Sequence, residues 1–148
     1  MKIIKSNEKK KIISQLNEQF GIEELPHLLL RFGKEKIRAF SGNLSADELR
    51  TLDKYLRIES AGVYIAKQHP EGIRLTIDGV SLFKKQIKKN ILEVDDIEAQ
   101  EWFKGNDLIT ESDRAFKVIK NDGELIGCGK STGEKITNFM PKERRVKN

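Results

Sequence analysis

The sequence predicts an α+β protein organised as two small domains. Three observations carry this. Apolar residues at helical spacing open the chain, short apolar runs separated by turn residues recur along it, and a polar, lysine-rich stretch at residues 84–90 divides a first set of such elements from a second. The 148 residues suffice for one ordinary core or two small ones, and 37% apolar content is ample for a folded chain.

Residues 6–20 place Ile12, Ile13, Leu16 and Phe20 on one helical face, and Gly21 stands where the helix should stop. Residues 28–32 and 37–40, separated by Gly33-Lys34-Glu35-Lys36, have the pattern of a hairpin. In Ser45-Ala46-Asp47-Glu48 the hydroxyl of Ser45 can cap a helix while Glu48 returns to the cap's own N–H. Leu49, Leu52 and Leu56 give that helix its buried stripe. A second hairpin is expected over residues 61–77, with Val63 and Ile65 in one arm, Ile73, Leu75 and Ile77 in the other, and His69-Pro70-Glu71-Gly72 as the turn. Residues 84–90, apolar only at Ile87, read as a surface turn or linker, which divides the chain into domains of residues 1–87 and 88–148.

The second domain should begin with a strand at 91–94, followed by a capping pair of Asp95 and Glu98. A helix over 96–104 would carry Ala99, Trp102 and Phe103 inward and end at Gly105. Phe116, Val118 and Ile119 lead into Asn121-Asp122-Gly123, a tight hairpin signal, and the return strand at 124–130 holds Leu125 and Ile126. Residues 136–140 read as a further strand halted by Pro141, with Val146 anchoring a last edge strand.

The formal net charge is +5, and the excess gathers at the C-terminus in Lys130, Lys135, Lys142, Arg144, Arg145 and Lys147. That distribution favours a polyanionic partner, although a solvated, frayed tail would have the same composition. The single cysteine, Cys128, cannot form an intramolecular disulfide, so the cytoplasm is the expected compartment. No apolar run is long enough to cross a bilayer, so no membrane partner is expected.

Catalytic chemistry finds little support. His27 and His69 lie far from each other and from Cys128 in sequence, which gives no metal-ligand spacing, and no metal or other cofactor is expected. Gly127-Cys128-Gly129-Lys130-Ser131 has the end of a phosphate loop without its first glycine, and the paired carboxylates at Asp95-Asp96 and Glu23-Glu24 read as caps and solvated faces. The chain is therefore expected to be no enzyme, with no catalytic residues.

With these residues in view, the C-terminal half resembles a PUA domain, the small pseudo-barrel RNA-binding fold named for pseudouridine synthases and archaeosine transglycosylases. The segment Asp95-Asp96-Ile97-Glu98-Ala99, leading to Lys104-Gly105-Asn106-Asp107-Leu108, is similar to that family's helix and the glycine turn after it. Glu124-Leu125-Ile126-Gly127-Cys128-Gly129-Lys130 is similar to its central strand. The ending Ile136-Thr137-Asn138-Phe139-Met140-Pro141-Lys142-Glu143-Arg144-Arg145 resembles the terminus of the PUA-like domain appended to RNA cytosine-5 methyltransferases of the Nol/Nop/Fmu group. The whole chain is similar to two-domain pre-PUA/PUA factors that mature the large ribosomal subunit.

The resemblance implies a pre-PUA-like α/β domain followed by a PUA-like β pseudo-barrel. It also implies RNA lying across the glycine turn and neighbouring strands, which selects Lys104, Gly105, Asn106, Gly127, Gly129 and Lys130, together with Asn138, Lys142, Arg144 and Arg145. Glycine lets a backbone approach a ligand closely, while Lys and Arg neutralise phosphate. A tight turn competes with this reading for the glycines, and core packing for Trp102 and Phe103. The expected function is non-catalytic binding of structured RNA, an rRNA precursor or tRNA, in ribosome biogenesis or RNA modification. The N-terminal domain would hold a protein partner or a second RNA surface. The alternatives are an accessory subunit that delivers RNA to a separately encoded modifying enzyme, and a protein-interaction adaptor built on the same scaffold.

Overall fold

In the computed structural model, described for residues 1–56 and 61–147, the chain is α+β, with two five-stranded sheets and four helices among those residues. Helix α1 (Ser6–Phe20) turns Ile12, Leu16 and Phe20 inward. It ends at Gly21, whose left-handed φ of +82° lets its N–H return to the Asn17 carbonyl at 2.8 Å. The first sheet follows sequence order and is antiparallel throughout: β1 (Lys2–Ile3), β2 (Leu28–Phe32), β3 (Lys36–Phe40), β4 (Val63–His69) and β5 (Gly72–Leu75).

Helix α2 (Ala46–Leu56) joins β3 to β4. Its capping box forms as expected, with the Glu48 N–H donating to Ser45 Oγ at 3.1 Å and the Ser45 N–H to Glu48 Oε1 at 3.2 Å. Leu49 is buried beside Ile3 and Leu30, and Leu52 is half-buried. The side chain of Leu56 lies outside what is described.

The hairpin expected over residues 61–77 ends earlier. Thr76 donates its hydroxyl to the Tyr64 carbonyl at 2.6 Å and accepts the Gly79 N–H at 3.0 Å, so one side chain terminates the strand and caps helix α3 (Ile77–Phe83). Ile77 thus belongs to a helix that strand-like alternation concealed. Residues 84–90 form a turn with Lys84, Lys85, Lys88 and Lys89 exposed, and it is fastened to α1. Ile87 is buried, the N–H groups of Lys88 and Lys89 donate to the Phe20 carbonyl at 2.7 and 3.2 Å, and Asn90 donates to the Gln19 carbonyl at 2.6 Å.

The second sheet has the order β6-β8-β9-β10-β7, with β6 parallel to β8 and the remaining pairs antiparallel. Its strands are β6 (Ile91–Glu93), β7 (Leu108–Ile109), β8 (Phe116–Asn121), β9 (Glu124–Ser131) and β10 (Lys135–Thr137). Asp122 and Gly123 both have positive φ, +48° and +80°, as the tight β8–β9 turn requires. Helix α4 (Asp96–Phe103) carries the Asp95/Glu98 capping box and buries Ala99 and Trp102. Phe103, expected inward, is 36% exposed: it follows Trp102 by one position, about 100° around the helix, and so turns off the packed face. The strand expected at 136–140 stops at Thr137, and Val146 pairs with no strand. The chain instead makes a 3-10 turn at Lys142–Arg144, after which the Val146 N–H donates to the Phe103 carbonyl at 2.7 Å.

The largest apolar cluster crosses from one sheet to the other. Leu16, Phe20, Ile37, Ile73, Leu75, Val80 and Phe83 share it with Phe116, Val118 and Cys128. A second cluster surrounds Trp102 with Val94, Ala99, Leu108, Ile119, Ile136 and Met140. Burial pushes the Cys128 thiol up to about 12, which leaves it protonated and a packing residue, in agreement with its reading from sequence.

Candidate nucleic-acid interface

Between the two sheets lies a cleft of about 330 Å³. From the N-terminal lobe come Lys36 on β3, Tyr64 and Lys67 on β4, Arg74 on β5, and Thr76 and Asp78 at the start of α3. The C-terminal lobe supplies Trp102 from α4, Gly127 and Cys128 from β9, and Phe139, Pro141 and Arg144 from the terminal segment.

The walls combine aromatic rings with cations. The Arg74 guanidinium lies over the Phe139 ring at 4.2 Å, and the Lys36 ammonium lies 5.5 Å from the centre of the Tyr64 ring. His69 flanks Phe139 at 6.4 Å and Phe116 at 5.2 Å. Burial, reinforced by Arg74 and Lys67, holds the His69 pKa below its ordinary 6.5 and keeps the ring neutral. An unfolded chain therefore takes up a proton there that the folded chain resists, so stability should fall as pH drops through 6.5. His69→Gln should flatten that part of a denaturant-midpoint profile against pH. A slope that persisted in the variant would assign it to other groups.

Asp78 is the carboxylate in the cleft lining, and Glu35 lies beside the cleft; both are engaged. Asp78 accepts from Arg144 at 3.3 and 3.4 Å, and Glu35 pairs with Lys67 at 3.4 Å. Among the described residues no three His, Cys, Asp or Glu side chains gather as a metal site. The cleft can neutralise phosphate, stack a planar group and donate hydrogen bonds.

The residues selected from sequence fall into three places. Lys104, Gly105, Asn106, Asn138 and Arg145 come together at the end of α4. There the Asn138 amide donates to the carbonyls of Trp102 at 2.8 Å and Asn106 at 3.0 Å, its own N–H is taken by Asp107 at 2.9 Å, and Lys104 pairs with Glu101 at 3.5 Å. Arg145 donates from Nε to the Met140 carbonyl at 2.9 Å and lies across Gly105, where a Cβ would come within 2.3 Å of it. Gly127 and Gly129 sit against the Trp102 indole, with Gly127 on the cleft wall and Arg144 on its rim. Lys142 is exposed two residues from Arg144. Lys130 stands apart, paired with Glu71 of the β4–β5 turn.

Lys36, Tyr64, Lys67, Arg74 and Phe139 did not stand out in sequence. They lie on β3, β4, β5 and the terminal segment, too far apart in sequence to form a motif, and only the packing of the two sheets brings them together.

A five-stranded mixed sheet packed around a tryptophan-bearing helix and its glycine turn defines residues 89–146 as a PUA-like domain. These residues match the family described as the methyltransferase RsmF PUA domain, and the PUA-like domain is related to the C-terminal domains of the Nol/Nop/Fmu group. Similar proteins include three named ribosomal RNA small subunit methyltransferase F. The one from Vibrio cholerae serotype O1 is 28% identical over 134 residues, which cover 89% of this chain and 27% of the relative. That from Psychromonas ingrahamii is 31% identical over 107 residues, covering 68% and 22%, and that from Vibrio vulnificus 30% identical over 89 residues, covering 60% and 19%. The chain thus spans about a fifth to a quarter of the length of the curated relatives it matches.

Proposed function

We propose that the chain is an RNA-binding module of ribosomal RNA modification: it binds structured RNA and positions it, and these 148 residues carry out no chemistry themselves. The observation that supports this most is the cleft, where Lys36, Lys67, Arg74 and Arg144 surround Tyr64 and Phe139. Cations beside half-buried aromatic rings on a cleft wall suit a phosphate backbone with accessible bases. The kinship of residues 89–146 to a methyltransferase PUA domain points to the same class of substrate. On this reading residues 1–87 and 88–148 act as two lobes that grip one RNA, and Lys142 extends the basic rim beyond Arg144. The glycines at 105, 127 and 129 and the Asn138 side chain hold the frame, while Lys104, Lys130 and Arg145 add charge around it. The protein acts in the cytoplasm; among the described residues no helix is long and apolar enough to cross a membrane.

The match of this chain to part of longer methyltransferases favours a second reading, in which it presents RNA to a separately encoded methyl-transfer enzyme. A stable complex with one such enzyme on copurification, rather than with ribosomal precursors alone, would select it.

Affinity for a structured rRNA fragment should fall steeply with salt, because bound cations displace condensed counterions. Lys142→Glu with Arg144→Glu should weaken binding and lower the salt slope by about 1 per lost contact. Lys10→Glu with Lys11→Glu, both exposed on α1, changes net charge equally and should matter far less. Lys9 is avoided as a control because its ammonium donates to the His27 carbonyl at 2.7 Å. Titrations in rising salt, with melting curves for each variant, are the measurement; equal losses from both pairs would show a diffuse field rather than a defined contact.

A further inference from the structure

We infer that the cleft takes one unstacked base of the bound RNA, with the acceptor edge of that base on Trp102 Nε1 and Arg74 Nε. This rests on the RNA-binding reading above and adds a specificity site to it.

Among the described residues, four buried side-chain polar atoms have no hydrogen-bond partner: His27 Nδ1, His69 Nε2, Arg74 Nε and Trp102 Nε1. Two of the four belong to residues that line this cleft. A buried N–H without an acceptor is costly, and such groups in a folded protein call for an explanation. Trp102 is 1% exposed, so bulk water does not supply the acceptor. Only glycine fits beside it: a Cβ at residue 127 would lie 2.7 Å from Nε1, so no side chain from that position covers this N–H on the cleft wall.

The remaining polar groups set what the ligand must bring. Thr76 Oγ1 is used on both sides, by the Tyr64 carbonyl and the Gly79 N–H, and Asp78 is held by Arg144. The unpaired groups are thus donors, and a ligand must present acceptors. Stacking on Phe139 at 4.2 Å fixes the plane in which Arg74 Nε donates, and Tyr64 supplies an aromatic wall for the base. The volume of about 330 Å³ lies at the lower end of the roughly 300–1,000 Å³ typical of ligand pockets, which suits one small planar group rather than a helix. Lys36, Lys67 and Arg144 can hold the flanking phosphates. A base rich in ring carbonyls fits this donor set, whereas an exocyclic amine on the inserted edge would meet a second donor. Uracil is therefore favoured over adenine.

The chain has a single tryptophan, so its emission reports on the cleft alone. Short oligouridylate and oligoadenylate, each end-labelled, should be titrated into the full chain, with anisotropy reading binding anywhere and Trp102 emission reading the cleft. The expected result is tighter binding of oligouridylate with a saturable change in Trp102 emission. Arg74→Lys keeps the charge but removes the Nε donor and its fixed plane. It should weaken binding roughly 10-fold, as should Tyr64→Leu, and both should abolish the emission change. Lys10→Glu with Lys11→Glu should leave that change intact. Oligonucleotides that bind without altering Trp102 emission, or Arg74→Lys binding as the wild type does, would overturn the cleft site and leave the RNA-binding reading standing. Equal affinity for the two oligonucleotides would overturn the acceptor-edge assignment. No binding of either oligonucleotide or of structured rRNA would overturn both readings.

Discussion

A fragment of residues 88–148 alone should lose the cooperative thermal transition of the full chain. The second sheet shares its larger core with the first: Phe116, Val118 and Cys128 pack in one cluster with Leu16, Phe20, Ile73, Leu75 and Phe83. Removing residues 1–87 exposes that face of β8 and β9. Each large apolar side chain returned to water costs about 1.5–3 kcal/mol, so the loss is of order 5 kcal/mol. A chain of about 60 residues has a marginal core at best, and whole small domains are stable by only about 5–15 kcal/mol. The fragment keeps both partners of the buried Lys117 ammonium, Asp113 at 2.6 Å and Asn90 at 3.1 Å, but loses the Gln19 carbonyl of α1 that fastens the Asn90 amide. The fragment should show a broad transition by far-UV circular dichroism and a weakened near-UV band from Trp102. A sharp transition at the full-chain midpoint would instead establish two independent cores and make the division at residues 87 and 88 a true folding boundary.

What could be read from sequence and what could not follow from the range of the interactions involved. Helix α1 with its Gly21 stop, both Ser/Asp–Glu capping boxes and the Asn121-Asp122-Gly123 turn are set by residues within four positions of one another, and the structure carries each as expected. Elements whose limits depend on distant partners end elsewhere than local pattern suggests. Strand β5 ends at Leu75 because the Thr76 hydroxyl bonds to Tyr64 of the neighbouring strand. Phe103 turns outward because α4 is short and packs through Ala99 and Trp102. The last residues form no strand because the Asn138 side chain and the Phe103 carbonyl satisfy their backbone instead.

The same distinction governs the site. Residues 105, 127, 138 and 144 lie in segments recognisable one at a time, and family resemblance could select them. The cleft exists only when β3, β4 and β5 meet Trp102 and Phe139 across the lobes, so Lys36, Tyr64, Lys67 and Arg74 had no local mark. Trp102 was legible as a core residue but not as an indole whose N–H lacks a partner, because that depends on the glycine facing it from β9.

Gly79→Ala should destabilise the protein by about 3 kcal/mol or more, the upper part of the range for overpacking a buried site. In most helices the same change stabilises, since glycine inside a helix costs about 1 kcal/mol relative to alanine. Here the sign reverses. Helix α3 lies directly on β4, and a Cβ at residue 79 would sit 2.0 Å from the Ile65 carbonyl oxygen and 3.0 Å from its carbon. Both obstacles are backbone, and the Ile65 carbonyl is fixed by the Thr76 N–H at 3.0 Å, so neither can swing aside as a side chain would. The helix must lift away, and the Gly79 N–H then loses the Thr76 hydroxyl that caps it at 3.0 Å. Because α3 also packs on β9 and supplies Ile77 and Asp78 to the cleft, the displacement should reach the proposed RNA site. Ser81→Ala, at an exposed position of the same helix, is the control and should raise stability slightly or leave it unchanged. Chemical denaturation of the two variants gives the comparison. A Gly79→Ala protein as stable as the wild type would mean that α3 can stand off β4 without cost, and the close packing of this helix would then have no part in holding the two lobes together.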